Sequence, residues 1–131
     1  MEFLRMKLGE ESDIIIARMR ASDIARALGF NYMDQIRIAT AVSEVARNAI
    51  HYGGGGEMVV NQLNASGGIE IQVSDNGPGI PDIGRALAGG YSTGSGLGLG
   101  LSGAKKLMDE FEIFSEVGKG TKVSMRKLLR R

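Results

Sequence analysis

The sequence has no cysteine, no tryptophan and only one histidine among its 131 residues. Without cysteine, the chain can form neither a disulfide framework nor a zinc or redox site built from thiolates. Because His51 is its one imidazole, a metal site that needs several histidines of one chain is excluded. These absences leave carboxylates, amides and backbone groups as the candidates for a functional site.

An excess of one charge and a long apolar run are also lacking. Sixteen Lys and Arg residues face fifteen Asp and Glu residues, so no strong net field would attract nucleic acid or a membrane surface. No apolar stretch approaches the roughly 20 residues that span a bilayer, and the first residues do not resemble a signal peptide. We therefore expect a cytoplasmic protein that binds neither nucleic acid nor a membrane.

Glycine is the residue in excess. The chain has 20 glycines, and fifteen of them lie between Gly53 and Gly100. Hydrophobic residues make up 43% and charged residues 24%, which is typical of a globular domain. We expect a single domain over residues 1–131, with the backbone freedom of glycine concentrated around its functional part.

Hydrophobic periodicity predicts the element order β-α-α-β-β-loop-α-β-β. The predicted helices cover residues 12–28, 32–52 and 99–109, with a short additional helix near 82–88. The predicted strands cover residues 3–8, 57–64, 69–74, 111–117 and 120–128. Runs of strand and helix, rather than strict alternation, indicate an α+β fold with helices on one face of a mixed or antiparallel sheet.

The ends of several elements have their own signals. Ser12 and Asn31 are the predicted N-caps of the first two helices, and Gly29 is the predicted residue that ends the first. Residues 3–8 are short and are expected to form an edge strand. The last two strands are expected to join through the turn Gly118-Lys119-Gly120.

Glu44 and Asn48 are the first candidate functional pair. Their four-residue spacing places both side chains on one face of the second helix. A carboxylate can act as a general base. An amide oxygen is a hard ligand that suits Mg²⁺, which takes few protein ligands and keeps waters and phosphate oxygens. The alternative is a solvated polar stripe, which needs no function.

A second candidate is Asp75, which is followed by Gly77 and Gly79 at the end of a predicted strand. Its carboxylate can accept a hydrogen bond from an exocyclic amine, while glycines allow a flat polar ring to approach the backbone. An ordinary turn is the alternative, since glycine and proline are common in turns.

Two further glycine motifs follow. The alternating glycines that open the third long helix leave N–H groups free to face a phosphate, and the helix dipole adds to this; they are Gly94, Gly96, Gly98 and Gly100. A flexible linker is the alternative, but the leucines between these glycines disfavour it. The segment from Gly118 to Thr121, taken alone, is a hairpin turn.

Together, these four motifs resemble in order and spacing the N, G1, G2 and G3 boxes of the GHKL ATPase superfamily, which includes gyrase, Hsp90, histidine kinases and MutL. The resemblance covers about residues 31–127. It implies the Bergerat fold, a two-layer α/β sandwich with a mixed, mostly antiparallel sheet and ATP held between helices and sheet. Residues 34–48 and 107–111 further resemble the RsbT-type switch kinases of the stressosome, small serine/threonine kinases that regulate bacterial sigma factors.

The resemblance also implies roles at the nucleotide base. Asp75 would accept a hydrogen bond from the adenine amino group, and Thr121 would act beside it through water. Gly77 and Gly79 would shape the adenine pocket. Asn48 would ligate Mg²⁺ between the phosphates.

At the phosphates, the resemblance implies that a glycine-rich loop closes over ATP. Gly94, Gly96, Gly98 and Gly100 would bring the loop there. Glu44 would take the proton from the attacking hydroxyl group.

The function implied is that of an ATP- and Mg²⁺-dependent serine/threonine protein kinase. Its substrates would be STAS-domain antagonist or scaffold proteins in a stress and sigma-factor partner-switching pathway, and it would then bind and activate a phosphatase. An anti-sigma factor kinase that sequesters a sigma factor is one alternative. A nucleotide-binding adaptor without catalysis is another, which the presence of Glu44 and Asn48 disfavours. The oligomeric state stays open.

Other polar residues are expected to lie outside the site. Arg47 should form a salt bridge or contact a partner, because neighbours on a helix do not share a face. His51 is expected to have a structural role at a helix end. The basic residues near the C-terminus are expected on a solvated strand; they are Lys119, Lys122, Arg126, Lys127, Arg130 and Arg131.

Overall fold

The computed structural model describes residues 1–63, 67–80 and 97–130, with the backbone alone for 97–99. Within these residues, strands and helices follow the predicted order. The strands are β1 (Glu2–Leu8), β2 (Gly56–Gln62), β3 (Gly68–Asp75), β4 (Glu110–Glu116) and β5 (Gly120–Leu128). The helices are α1 (Glu11–Leu28), α2 (Tyr32–His51) and α3 (Leu97–Leu107). The helix expected near 82–88 lies outside the described residues.

The first helix begins earlier than predicted. Helix α1 starts at Glu11, so Ser12 lies inside its first turn and the prediction of Ser12 as N-cap is wrong. The cap position belongs to Glu10. The carboxylate of Asp13 accepts hydrogen bonds from the N–H groups of Gly9 and Glu10, at 2.8 and 2.9 Å. Because this side chain reaches back to the residues before the helix, it fixes the start of α1 as in a capping box.

The turn between α1 and α2 agrees with the prediction. Gly29 ends α1 with a φ of 99°, in the left-handed region that glycine adopts readily. Asn31 caps α2, since its Oδ1 accepts a hydrogen bond from the Asp34 N–H at 2.8 Å. The chain then returns along α1, and His51 at the end of α2 pairs with Glu11 at the start of α1.

The sheet has the strand order β1-β2-β3-β5-β4, and every neighbouring pair is antiparallel. The expected choice between a mixed and an antiparallel sheet is thus resolved as antiparallel for the described strands. Strand β1 lies at one edge, as predicted, and β4 lies at the other. The central pair, β3 and β5, places Asp75 directly opposite Thr121. Two motifs that are distant in sequence therefore meet at one end of the sheet.

The core lies between the sheet and the helices. Helix α2 contacts four of the strands and both other described helices, so it is the central element of the core. Ala17, Ala21 and Ala25 form a fully buried stripe on α1, and these small side chains let α1 pack closely on α2. The largest fully buried side chains are Leu8, Ile38, Met58, Ile69, Ile71, Leu101, Met125, Val42, Val45 and Val60. In the described part of the chain, no helix has the length and apolar character needed to cross a bilayer.

Lys127 is buried, which corrects the expectation that it lies on a solvated strand. Only 9% of the residue is exposed. Its Nζ donates a hydrogen bond to the Leu107 carbonyl oxygen at 2.8 Å and lies 3.8 Å from carboxylate oxygens of Asp34 and Asp109. A lysine is buried only when its charge is paired, and here β5 supplies a cation to the start of α2 and the end of α3. Lys127 therefore ties three elements together.

Candidate active site

A narrow cleft opens between α2, α3 and the β3–β5 end of the sheet. Its volume is about 10 Å³, which is room for about one water, so a purine ring needs the cleft to widen. Polar side chains from three separate motifs, Asn48, Asp75 and Thr121, share this cleft. The full lining is Val45, Asn48, Ala49, Tyr52, Val73, Asp75, Ile80, Leu101, Thr121 and Val123. The structure thus brings three of the predicted residues, Asn48, Asp75 and Thr121, together on a mostly apolar wall.

Asp75 is the acidic group at the end of β3. Its Oδ1 accepts a hydrogen bond from the Gly77 N–H at 2.9 Å, and the Thr121 N–H also donates to this carboxylate. Burial raises the pKa of Asp75, while the two backbone hydrogen bonds act in the opposite direction. The carboxylate is therefore held in a fixed orientation and can accept a further hydrogen bond from a ligand.

The glycines after Asp75 let separate backbone segments pack together. A Cβ built on Gly77 would lie 2.6 Å from the Cα of Gly53, so no side chain fits between these two segments. Gly79 has a φ of 79°, in the region that L-residues rarely adopt. Its carbonyl oxygen accepts a hydrogen bond from the Tyr52 hydroxyl at 3.2 Å. These contacts anchor the turn below the cleft to the end of α2.

Glu44 and Asn48 lie on consecutive turns of α2, as predicted. The Asn48 Nδ2 donates a hydrogen bond to the Glu44 carbonyl oxygen at 3.1 Å, so its Oδ1 is the atom that can serve as a ligand. The Glu44 Oε1 pairs with the Arg47 guanidinium at 3.0 Å. This confirms the salt bridge expected of Arg47 and shows that its partner is the predicted base.

The donor set suits Mg²⁺ bound together with phosphates. Within the described ranges, no group of three or more His, Asp or Glu side chains is placed to hold a metal ion. Asn48 lines the cleft, and its Oδ1 is the one amide oxygen that the lining residues offer. Because Mg²⁺ keeps several waters and binds phosphate oxygens readily, such a sparse protein contribution fits it.

The glycine-rich motif reaches the site through α3. The helix begins at Leu97, so Gly98 and Gly100 are in its first turn. A Cβ built on Gly100 would lie 2.9 Å from the Glu44 Oε2 and 3.0 Å from the Asn48 Nδ2. The start of α3 is therefore packed against the polar pair of α2. Gly94 and Gly96 lie outside the described residues.

Ser115 supports the site through Thr121 and was missed by the sequence reasoning. It stands opposite Thr121 in the β4–β5 pairing, with 2.8 Å between the two hydroxyl oxygens. Its Oγ accepts a hydrogen bond from the Ile80 N–H at 2.7 Å and donates to the Gly120 carbonyl at 3.1 Å. Ser115 thus links the turn after Asp75 to β5. Counting back from the predicted Gly118–Gly120 turn would have paired it with Thr121.

Comparison with known proteins identifies this architecture. The model for the family described as histidine kinase-, DNA gyrase B- and HSP90-like ATPases matches residues 33–131. A chain in the crystal structure of the SiaB–SiaC complex from Pseudomonas aeruginosa has a TM-score of 0.65, covering 98% of this chain and 91% of that one. At 11% identity, this second likeness supports the fold alone. The family match therefore assigns this antiparallel sandwich, with the cleft between its layers, to the ATP-binding domains of the GHKL class.

Two relatives narrow the class. The serine/threonine-protein kinase RsbT of Bacillus subtilis is 45% identical over 127 residues, which cover 95% of this chain and 96% of the relative. An anti-sigma F factor of Clostridium acetobutylicum is 30% identical over 126 residues, covering 92% and 88%. The chain belongs to the histidine kinase-, DNA gyrase B- and HSP90-like ATPase family and, within it, to the RsbT-like serine/threonine protein kinases.

Proposed function

We propose that the protein transfers the γ-phosphate of ATP, with Mg²⁺, to a serine or threonine of a STAS-domain antagonist protein. The transfer would separate the kinase from this partner in a bacterial stress pathway that regulates a sigma factor. The released kinase would then bind and activate a phosphatase, and all these steps would take place in the cytoplasm. Identity of 45% to a serine/threonine-protein kinase over nearly the whole chain supports the reaction class.

The observation that carries the proposal is the shared cleft. Asn48 of α2, Asp75 of β3 and Thr121 of β5 come from distant parts of the sequence and line the same narrow space. Glu44 lies one turn before Asn48 on the same helix face, beside the start of α3. The proposed acceptor Asp75 thus lies on the sheet side of the cleft, the proposed ligand Asn48 lies on α2, and the proposed base Glu44 lies one turn before Asn48.

At the base of the nucleotide, the Asp75 carboxylate would accept a hydrogen bond from the adenine amino group. Its two backbone donors keep it oriented for this contact. Thr121, directly across the strand pair, would hold a water that bridges to the ring. Gly77 and Gly79 would shape the pocket indirectly, because the absence of their side chains lets the turn after Asp75 pack against the backbone of Gly53 and Glu116.

At the phosphates, Asn48 would hold Mg²⁺ through Oδ1. The ion, when bound, neutralises charge on the phosphate oxygens. The glycines proposed to let the loop close over the phosphates are Gly94, Gly96, Gly98 and Gly100.

Glu44 would act on the incoming protein hydroxyl. It would take the hydroxyl proton while the oxygen bonds to the γ-phosphorus and the bond from that phosphorus to the ADP oxygen breaks. The products are a phosphoserine or phosphothreonine, ADP and a proton on Glu44, which returns to solvent. Positioning and charge stabilisation supply most of the rate enhancement in such transfers. One oriented carboxylate is therefore enough to accept the proton.

The test is transfer of labelled phosphate from Mg-ATP to a purified STAS-domain protein from the same genome. Wild type should label one serine or threonine, and Glu44→Ala should lower the rate by roughly 10²- to 10⁴-fold, the usual contribution of a general base. Binding of a fluorescent ATP analogue should stay close to wild type in Glu44→Ala. Full transfer by Glu44→Ala would show that the base is assigned wrongly.

A second candidate function is that of an anti-sigma factor. The 30% identity to an anti-sigma F factor over most of both chains favours it. Stable binding of a purified sigma subunit, together with ATP binding but no label on a STAS-domain protein, would support this function instead. Stimulation of a purified regulatory phosphatase by the kinase would separately test the second partner.

A further inference from the structure

The two oxygens of the Glu44 carboxylate have different neighbours, Arg47 and Gly100. The guanidinium of Arg47, one turn later on α2, lies 3.0 Å from Oε1. The other oxygen, Oε2, lies so close to Gly100 of α3 that a Cβ there would be 2.9 Å away. The side chain of Glu44 is only 34% exposed, so these contacts define much of its surroundings.

The two contacts act differently. Arg47 attracts one carboxylate oxygen and limits the rotamers that Glu44 can adopt. Gly100 provides a gap in the surface of α3, into which the other oxygen fits because no side chain occupies it. A displacement of about 1 Å in a reacting group can lower a rate roughly 10²-fold. A change in either contact of the Glu44 carboxylate is therefore expected to lower the rate of phosphoryl transfer.

We propose that Arg47 and Gly100 are positioning residues, which orient the Glu44 carboxylate toward the incoming hydroxyl group. The proposal rests on the proposed role of Glu44 as the base. Arg47 acts through its ion pair, and Gly100 acts through the absence of a side chain. Gly100 belongs to α3, which follows the glycine-rich motif in the chain. A shift of α3 would therefore also change the position of the Glu44 carboxylate.

Arg47→Met is the first test, because methionine keeps an unbranched stem and helix propensity but removes the charge. We expect kcat for phosphoryl transfer to fall roughly 10-fold or more, with the KM for ATP unchanged. Arg47→Lys should recover a large part of kcat. The melting temperature should change by no more than about 2 °C, because exposed ion pairs add little stability.

Arg37→Met is the matched control for Arg47. Arg37 forms the same kind of ion pair on the same helix, three residues after Asp34, at 2.8 Å. It lies away from the cleft lining. We expect a similar small effect on the melting temperature and no effect on kcat.

Gly100→Ala is the second test. The atoms that a Cβ would meet, the Glu44 Oε2 and the Asn48 Nδ2, are ends of flexible side chains that can move aside. The fold should therefore survive while the reactive groups are displaced, and kcat should fall roughly 10- to 100-fold. Gly103→Ala is the matched control, because it lies on the same helix and nothing stands within 4 Å of its Cβ position. That variant should keep kcat and melt slightly higher, since alanine favours helix.

The outcomes separate the two proposals. If Glu44→Ala abolishes transfer while Arg47→Met and Gly100→Ala both keep the wild-type kcat, the positioning role is wrong and the base is retained. If Glu44→Ala keeps transfer, the base itself is wrong and the positioning role falls with it. A raised KM for ATP with unchanged kcat in Arg47→Met would show that Arg47 binds phosphate instead of orienting Glu44.

Discussion

Asp75 is the residue on which the proposed recognition of adenine depends. In Asp75→Asn, the new amide would present an N–H donor to backbone donors or to the adenine amine, which leaves a mismatched polar group. We expect weaker ATP binding by about 1–3 kcal/mol. Isothermal titration should show it, and purine riboside triphosphate, which lacks the amino group, is the matched ligand. Equal losses for both ligands would contradict the contact with the amine.

The same residue predicts a pH dependence. Because burial raises the pKa of Asp75, the carboxyl takes up a proton at a higher pH than an exposed aspartate does. The ionised form accepts the hydrogen bond, so the preference for ATP over purine riboside triphosphate should be full above this pKa and decrease as the pH falls through it. Affinity ratios measured from neutral pH downward, over the range in which the protein stays folded, should show this decrease in wild type. Asp75→Asn should give a flat ratio.

The residue scale is also where sequence reasoning is least complete. The spacing of Glu44 and Asn48 predicts a shared helix face because it depends on local geometry alone. The ion pair of Glu44 with Arg47, three residues later on α2, follows the same local geometry. The role of Ser115 depends on strand register and on a turn from another part of the chain. The contacts of Ser115 are set by tertiary structure, and one sequence does not encode them in a local pattern.

At the scale of elements, the cap of α2 makes a measurable contribution. In Asn31→Ala, the Asp34 N–H loses its side-chain acceptor, and helix N-caps of this kind contribute about 1 kcal/mol. We expect the melting temperature to fall by roughly 3–6 °C. Asn31→Ser should lose little, because serine also caps helices well. If both variants melt alike, the cap contributes nothing to stability.

Element order was predictable, whereas one boundary was not. Periodicity places each described strand and helix within a few residues of its position, because burial of one face imposes that pattern. The start of α1 was missed because Asp13 caps from inside the helix, while the prediction relied on a serine before it. The parallel or antiparallel sense of the sheet could be decided only by the pairing of distant strands.

At the scale of the whole molecule, the buried Lys127 forms stabilising contacts that the sequence did not predict. Lys127→Met keeps the stem but removes the hydrogen bond to Leu107 and the charge between Asp34 and Asp109. We expect the free energy of unfolding to fall by about 2 kcal/mol, the range for hydrogen bonds of charged groups. Urea denaturation measures this, with Lys122→Met, an exposed lysine of the same strand, as the control. Equal effects would show that Lys127 has no special role.

A stretch of basic residues near the end of a chain normally indicates a solvated surface, and this pattern misled the prediction for Lys127. Its burial follows from the position of β5 inside the sheet, next to β3. The meeting of Asn48, Asp75 and Thr121 in one cleft, by contrast, was predictable, because these residues occur in ordered motifs. The motifs did not predict how narrow the cleft is, nor the hydrogen bonds of Tyr52 and Ser115 that fix the turn beside it.

The pairing of Asp75 with Thr121 has a consequence for the protein while it is still being made. A ribosome releases β3 and α2 well before it releases β5, so the nascent chain carries one wall of the proposed adenine pocket without the other. It cannot hold ATP in the proposed way until the last strand inserts between β3 and β4. On this proposal, nucleotide would not assist the early steps of folding, and a chain truncated before β5 would not compete with the finished kinase for ATP.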